Sequence, residues 1–145
     1  MTTLRMDHVV VVVDDLEAAI AFFRELGLGL EGRMPIEGQW VDRVNAIDGV
    51  RVEIAMMRTP HGDGLELTKF SAPAAIGAEE DNTTPNALGL RSVMFAVDDI
   101  DDVVNRLRSH GGELVGEIAQ YEEIYRLCYM RGPAGIIVAL AEELG

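Results

Sequence analysis

The stretch that decides the fold is His8-Val-Val-Val-Val-Val-Asp-Asp15-Leu16, which returns 84 positions later as Ser92-Val-Met-Phe-Ala-Val-Asp-Asp99-Ile100. A second landmark, Met57-Arg58-Thr59-Pro60-His61-Gly62, returns 73 positions later as Met130-Arg131-Gly132-Pro133-Ala134-Gly135. Both landmarks keep their order, and the second copy is shorter between them by 11 residues, the difference between the two shifts. The chain therefore reads as a tandem duplication of a unit of roughly 60 residues.

Each copy is predicted to begin with a strand followed by a helix. Val9 to Val13 is an unbroken β-branched run, which is typical of a buried strand. The acidic pair Asp14-Asp15 favours a helix start, and Gly27 can end the helix in the left-handed conformation. Asp98 and Gly111 are predicted to start and end the helix of the second copy in the same way. The apolar residues between these points recur at helical spacing: Leu16, Ile20, Phe23 and Leu26, then Ile100, Val104 and Leu107.

The remainder of each copy is predicted to form strands. The β-rich runs are Val50 to Met57, Leu65 to Phe70, Tyr125 to Met130 and Ile136 to Leu140. We place the first module at about residues 4–70 and the second at about 88–142. The stretch from Ser71 to Ala87 contains prolines, a glycine and an acidic run, and reads as the linker. We expect a single domain over residues 1–145.

The composition favours a folded, soluble protein. Apolar residues make up 48% of the 145 residues, and the net charge of -13 at pH 7 argues against nucleic acid or an anionic membrane as a partner. No apolar run reaches membrane length. The single cysteine, Cys128, excludes an internal disulfide, and its apolar neighbours favour a packing role over that of a nucleophile. Met1 to Asp7 has no apolar run, so we expect no signal peptide and a cytoplasmic protein.

Several motifs carry a resemblance to a known family: Asp7-His8 followed by Asp15-Leu16, Gly64-Leu65-Glu66-Leu67, Val97-Asp98-Asp99-Ile100 and Arg131-Gly132-Pro133-Ala134-Gly135. With the duplicated β-α-β-β-β unit, they resemble the vicinal oxygen chelate superfamily of glyoxalases, bleomycin-resistance proteins and extradiol dioxygenases. The resemblance covers residues 6–70 and 88–142. It implies an α+β fold in which two tandem βαβββ modules form a U-shaped mixed sheet with a concave cleft. Because such proteins include lyases, isomerases, epimerases, dioxygenases and metal-free drug binders, the fold alone does not choose a function.

The resemblance also implies where a metal would bind. In the metalloenzymes of the family each module offers one ligand early in its first strand and one in its last strand. The matching residues here are His8 and Glu66, and the repeat places Ser92 and Ala139 at the equivalent positions of the second module. Ala139 has no donor atom, and the Ser92 hydroxyl is a poor ligand. We therefore expect no cofactor, or at most a weak or vestigial metal site that uses His8 and Glu66.

A divalent metal (Zn, Ni, Mn or Fe) would need further ligands from elsewhere, because structural and catalytic sites usually use three or four protein groups. The groups that could complete such a site are His61, Tyr129, Glu53 or a residue of a second chain.

His8 and Glu66 are predicted to share one face of the sheet. Strand alternation places His8 with Val10 and Val12, and Glu66 with Thr68. If this face is the concave one, the pair lies in the cleft as a general base or as a polar anchor for a ligand. The alternative is a relic ion pair that satisfies two buried polar groups.

Further residues are predicted to contact the ligand: Trp40, Met56, Ser92, Met94, Arg126, Tyr129 and Ala139. Met56 and Tyr129 occupy equivalent positions of the two copies, which predicts two different cleft walls. Trp40 could stack on a planar ligand or simply pack. Arg126 could anchor an acidic substrate.

Two functions stay open from the sequence. The first is a small-molecule-binding protein of the bleomycin-resistance type, which sequesters an antibiotic or another natural product without tight metal binding. The alternative is a lyase, isomerase or epimerase that uses Glu66 and His8, with or without a metal. The retained pair of His8 and Glu66 supports the enzyme, and the loss of both second-module ligands supports the binder. The resemblance implies a homodimer in either case.

Overall fold

The computed structural model describes residues 2–77 and 84–145. The chain divides into two compact units, the first ending at Ile76 and the second beginning at Gly77. Within the described residues, no helix has the length and apolar character needed to cross a membrane.

The first unit is a four-stranded sheet with two helices. Its elements are β1 (His8–Val12), α1 (Leu16–Leu26), β2 (Gly29–Glu37), α2 (Gln39–Asn45), β3 (Arg51–Arg58) and β4 (Gly64–Ala72). The strand order is β1-β4-β3-β2, in which β1 runs parallel to β4 and the other pairs are antiparallel. The parallel pair follows from the helical crossover between β1 and the later strands.

The second unit repeats this plan. Its elements are β5 (Ser92–Ala96), α3 (Ile100–Arg108), β6 (Glu113–Leu114), β7 (Ala119–Tyr121), β8 (Tyr125–Arg131), a single 3-10 turn (Pro133–Gly135) and β9 (Ile137–Glu143). The order is β5-β9-β8-β6, with β7 also paired to β8. His8 pairs with Gly64 and Ser92 pairs with Ile137, so the two sheets share one register under the 84- and 73-residue shifts. The predicted α+β fold with a duplicated βαβββ unit is confirmed.

Both long helices begin at equivalent aspartates. The Asp15 carboxylate accepts a hydrogen bond from the Ala18 N–H at 3.0 Å, and the Asp99 carboxylate accepts one from the Asp102 N–H at 3.1 Å. These caps satisfy backbone donors that the first turn leaves free. Gly27 ends α1 with φ of 114°, a conformation that favours glycine.

The core of each unit lies between the sheet and one helix. In the first unit α1 buries Phe22 and Phe23 against the odd-numbered residues of the sheet, such as Val11 and Leu67. Burial of each large apolar side chain contributes about 1.5–3 kcal/mol. Because α1 covers only one face, the alternate residues of β1 and β4 point to the opposite face.

Ion pairs join each helix to its sheet on this covered face. Arg33 bridges Glu17 on α1 and Glu53 on β3, while Arg126 on β8 contacts Asp101 on α3 at 2.6 Å. Glu17 and Asp101 are equivalent under the 84-residue shift. The hydrogen bond from the Arg126 guanidinium holds the pKa of the Asp101 carboxyl below its usual value.

Helix α2 is an insertion that the sequence did not predict as a helix. Val41 is buried against Val50 and Val52 at one end of the first sheet. The Asp42 carboxylate accepts hydrogen bonds from the Gly49 N–H at 2.9 Å and the Val50 N–H at 2.8 Å, which fixes the loop after the helix. In the second unit the short strands β6 and β7 stand in place of β2 and α2, and the stretch is correspondingly shorter.

The Glu142 carboxylate supports the start of α3. Its Oε1 accepts a hydrogen bond from the Ile100 N–H at 2.8 Å. We expect Glu142→Ala to lower the free energy of unfolding by about 1 kcal/mol, because a helix N-terminal donor loses its partner. Denaturant unfolding followed by circular dichroism measures the change. The neighbouring, exposed Glu143 is the matched control, and equal midpoints for Glu142→Ala and Glu143→Ala would contradict the account.

Cys128 is a core residue of β8 and is 3% exposed. Burial raises the pKa of its thiol to about 11 from the ordinary 9.0. Because folding raises this pKa, the stabilising contribution of the protonated thiol is complete below about pH 9 and declines as the pH rises towards 11. This burial agrees with the packing role predicted for Cys128.

We expect the native thiol to react with Ellman's reagent at pH 8 at least about 100-fold more slowly than the thiol of the unfolded chain, because the reactive thiolate is almost absent. The unfolded chain in guanidinium provides the control. Comparable rates in the two states would show that Cys128 is accessible and ionised in the native protein.

Candidate functional site

The first sheet has an open face opposite α1. We define the open face by the residues that point to it: His8, Val10, Val12, Met34, Ile54, Met56, Glu66 and Thr68. The register places Val10 and Met56 on either side of Glu66, and Val12 and Ile54 on either side of Thr68. Val10, Val12 and Met34 keep 47%, 43% and 54% of their surface exposed. The face is thus apolar and is accessible at these three residues, whereas Thr68 is buried and Ile54 packs against the cluster around Val41 of α2.

A chain of polar contacts crosses one edge of the open face. The Asp7 Oδ2 lies 2.7 Å from the His8 Nδ1, and the His8 Nε2 lies 3.6 Å from the Glu66 Oε1. The Thr68 hydroxyl donates a hydrogen bond to the Glu66 Oε2 at 2.8 Å. The structure therefore brings His8 and Glu66 together, as strand alternation predicted, and adds Asp7 and Thr68 as their partners. The catalytic or binding role of the pair stays a prediction.

Asp7 orients the His8 ring. With the Asp7 carboxylate on Nδ1, that nitrogen carries a proton and Nε2 is directed towards Glu66. The hydrogen bond with His8 lowers the pKa of the Asp7 carboxyl, and the bond from Arg5 at 2.8 Å adds to the effect. Asp7 therefore remains an anion at neutral pH. Because Asp7 directly precedes His8 in the sequence, this contact could have been predicted.

Gly64 has no side chain, so Arg58 and His8 can lie close to its backbone at the same edge of the open face. A Cβ at this position would lie 2.9 Å from the Arg58 Nη1 and 3.0 Å from the His8 Cβ. Arg58 pairs with Glu31 and donates a hydrogen bond to the Gly62 carbonyl at 3.2 Å. In the second unit the equivalent residue, Arg131, donates the corresponding hydrogen bond to the Gly135 carbonyl at 3.1 Å. A shallow concavity of about 330 Å³ lies between the start of β2 and the end of β3, where Arg58 lines it.

The candidate residues of the second unit lie mostly on one face of its own sheet. Ala139 pairs with Met94 on β5 and with Tyr129 on β8, and Ser92 lies two positions from Met94 on the same face. Met94 is 54% exposed, whereas Ala139 has no exposed surface. The face offers hydroxyl groups and apolar side chains where the first sheet offers a histidine and a carboxylate.

Arg126 does not share a face with these groups. Arg126 points to the helix-covered face of β8, the opposite side from Tyr129, and its charge is paired with Asp101. The structure thus does not bring it together with the other candidates of its unit. Trp40 lies on α2 of the first unit and is 59% exposed.

The described donors do not fit a transition-metal site. Across residues 2–77 and 84–145, no three side chains of His, Cys, Asp or Glu cluster in a way that could hold a metal ion. Both ring nitrogens of His8 face carboxylates of the protein. Among the predicted recruits, Glu53 pairs with Arg33 on the covered face and His61 lies in the exposed turn between β3 and β4. Two donors are fewer than such sites normally use.

Comparison with known proteins identifies relatives over almost the whole chain. Residues 5–140 match the family model for the Glyoxalase/Bleomycin resistance protein/Dioxygenase superfamily. The structure is similar to that of a glyoxalase family protein from Bacillus cereus, with 53% sequence identity and a TM-score of 0.93 over 100% of this chain and 97% of that one. The comparison with curated proteins gave no match.

More distant structures share the fold alone. A glyoxalase family protein from Enterococcus faecalis is 18% identical, with a TM-score of 0.65 over 98% of this chain and 100% of that chain. The trypanothione-dependent glyoxalase I of Leishmania major is also 18% identical, with a TM-score of 0.66 over 97% and 88% of the two chains.

Proposed function

Because the chain belongs to the glyoxalase/bleomycin resistance protein/dioxygenase superfamily, we propose that it binds a small molecule on the open face of its first sheet. The ligand is an antibiotic or another natural product, which the protein sequesters without a tightly bound metal. Membership of the superfamily gives the fold and does not choose among its activities. Binding is therefore inferred from the residues of this chain.

The observation that carries the proposal is the apolar character of an exposed sheet face. Sheets with one solvated face usually alternate apolar residues inward with polar residues outward. In β1 the residues that point outward, Val10 and Val12, are apolar, and Met34 on β2 is more than half exposed. Contiguous exposed apolar side chains around a polar group mark binding surfaces. Ligand burial would remove this apolar surface from water.

The chemistry of the donors supports binding without metal. His8 and Glu66 each have partners within the protein, and the equivalent positions of the second unit are Ser92 and Ala139. The pair can hold a polar group of a ligand by hydrogen bonding alone.

We further propose that the protein is a cytoplasmic homodimer. Exposed apolar residues of α2, such as Trp40 and Val44, offer surface that a second copy could cover. The net charge of -13 disfavours nucleic acid and anionic membranes as partners.

The test is a titration with naphthylmethanol, a neutral aromatic probe, followed by amide NMR shifts. We expect the largest shifts at β1, β3 and β4, and no effect of EDTA. Val12→Asn should raise the Kd about fivefold, because a contact of about 1 kcal/mol is lost. Val115→Asn, at an exposed position of the second unit, should leave the Kd unchanged. Shifts confined to other surfaces, or binding that requires added metal, would contradict the proposal.

A second candidate function is an enzyme that uses Glu66 as a general base. The contacts from Asp7 through His8 to Glu66, with Thr68 at the far end, support it, because such contacts orient groups for proton transfer. His8 would then polarise a carbonyl of the substrate only with a proton on Nε2 in addition to the one on Nδ1, in a lyase, isomerase or epimerase reaction. Proton spectra of candidate ligands test this function. Conversion that Glu66→Gln abolishes while binding persists would favour the enzyme, and no conversion by the native protein would exclude it for those ligands.

A further inference from the structure

The Glu66 carboxylate keeps acceptor capacity towards the open face. Its side chain is 18% exposed, with Val10 and Met56 as its neighbours on the adjacent strands. The Thr68 hydroxyl occupies one lone pair of Oε2, and the His8 Nε2 lies 3.6 Å from Oε1, beyond direct hydrogen-bond distance. Because a carboxylate has about four acceptor positions, Glu66 can accept a further hydrogen bond from a ligand on this face.

The arginines around His8 already face carboxylates. Arg5 contacts Asp7 at 2.8 Å, and Arg58 pairs with Glu31. The His8 ring lies against Asp7 on its other side. An anionic ligand would therefore have to break one of these ion pairs and also lie against the Glu66 charge, and both effects oppose its binding.

The neighbouring side chains of Glu66 on the open face are apolar, so a ligand that binds there needs an apolar part. Val10 and Met56 flank the carboxylate on the adjacent strands, and Val12 and Met34 lie farther along the open face. Flexible methionines adapt to aromatic or aliphatic shapes. The excess of acidic residues over the whole chain attracts cations to its surface. We infer that the open face takes an apolar molecule with a cationic N–H donor, a protonated amine or amidine, and that Glu66 accepts its hydrogen bond.

This inference rests on the proposed function, because it names the class of ligand for the same face. Charge-assisted hydrogen bonds are stronger than neutral ones, so the charge of the ligand should control its affinity. Thr68 acts as a positioning residue, since its hydroxyl fixes the orientation of the carboxylate.

Three probes with one apolar body test the inference: naphthylmethylamine, naphthylmethanol and naphthoate. We expect the amine to bind about tenfold more tightly than the alcohol at pH 7, and the naphthoate to bind most weakly. Glu66→Gln should remove this preference. Glu113→Gln changes the net charge equally at an exposed position of the second unit and should keep it. Thr68→Val should reduce the preference in part, which gives a second variant if Glu66→Gln fails to fold.

The outcomes separate the inference from the function on which it rests. Equal Kd values for the three probes, with shifts on the open face, would overturn the ligand class and leave the binding function intact. A preference for the amine that survives Glu66→Gln would also overturn the inference, since it would come from the net charge. The absence of shifts on the open face with every probe would overturn both.

Discussion

The structure of the first unit depends on the one-sided cover that α1 gives to a sheet whose side chains alternate between two faces. Burial of Phe22 and Phe23 against the odd-numbered residues of β1 and β4 drives the packing. The same alternation then points His8 and Glu66 outward together with Val10 and Val12. A shift of one residue in register would exchange the two sets and bury the polar pair in the core. The register that stabilises the fold is therefore also the register that assembles the candidate site.

The two units share the residues that stabilise the fold and differ in the residues of the candidate site. Both units keep the aspartate at the helix start, the strand order and the arginine that bonds to the turn before the last strand. They differ at the positions that face away from the helix, where the second unit has Ser92 and Ala139. Contacts that stabilise the fold are thus present twice, whereas the acid–imidazole pair is present once. This asymmetry is the physical reason for proposing a ligand site on the first sheet.

The repeat allowed the sequence to predict much of this arrangement. It predicted the helices α1 and α3, the strands β1, β3, β4, β5, β8 and β9, and the shared face of His8 and Glu66. Strand alternation, applied to β8, would also have placed Arg126 on the side opposite Tyr129. Helix α2 was not predicted, because it has only seven residues and is held by contacts of Val41 and Asp42 with residues outside the helix. The close packing of Gly64 against Arg58 and His8 depends on distances across strands, which no local pattern contains. The Thr68 contact with Glu66 is local, and strand alternation had already placed the two residues on one face.

The most direct test of the account is the metal content per chain, measured by mass spectrometry on protein purified without chelators or metal-affinity resin. The account predicts transition metal far below one equivalent, because His8 and Glu66 have partners within the protein and Ser92 and Ala139 supply no comparable ligands. Near-stoichiometric Zn, Ni, Mn or Fe that disappears in His8→Ala would contradict it. That result would show that the open face is a metal centre completed by ligands from elsewhere.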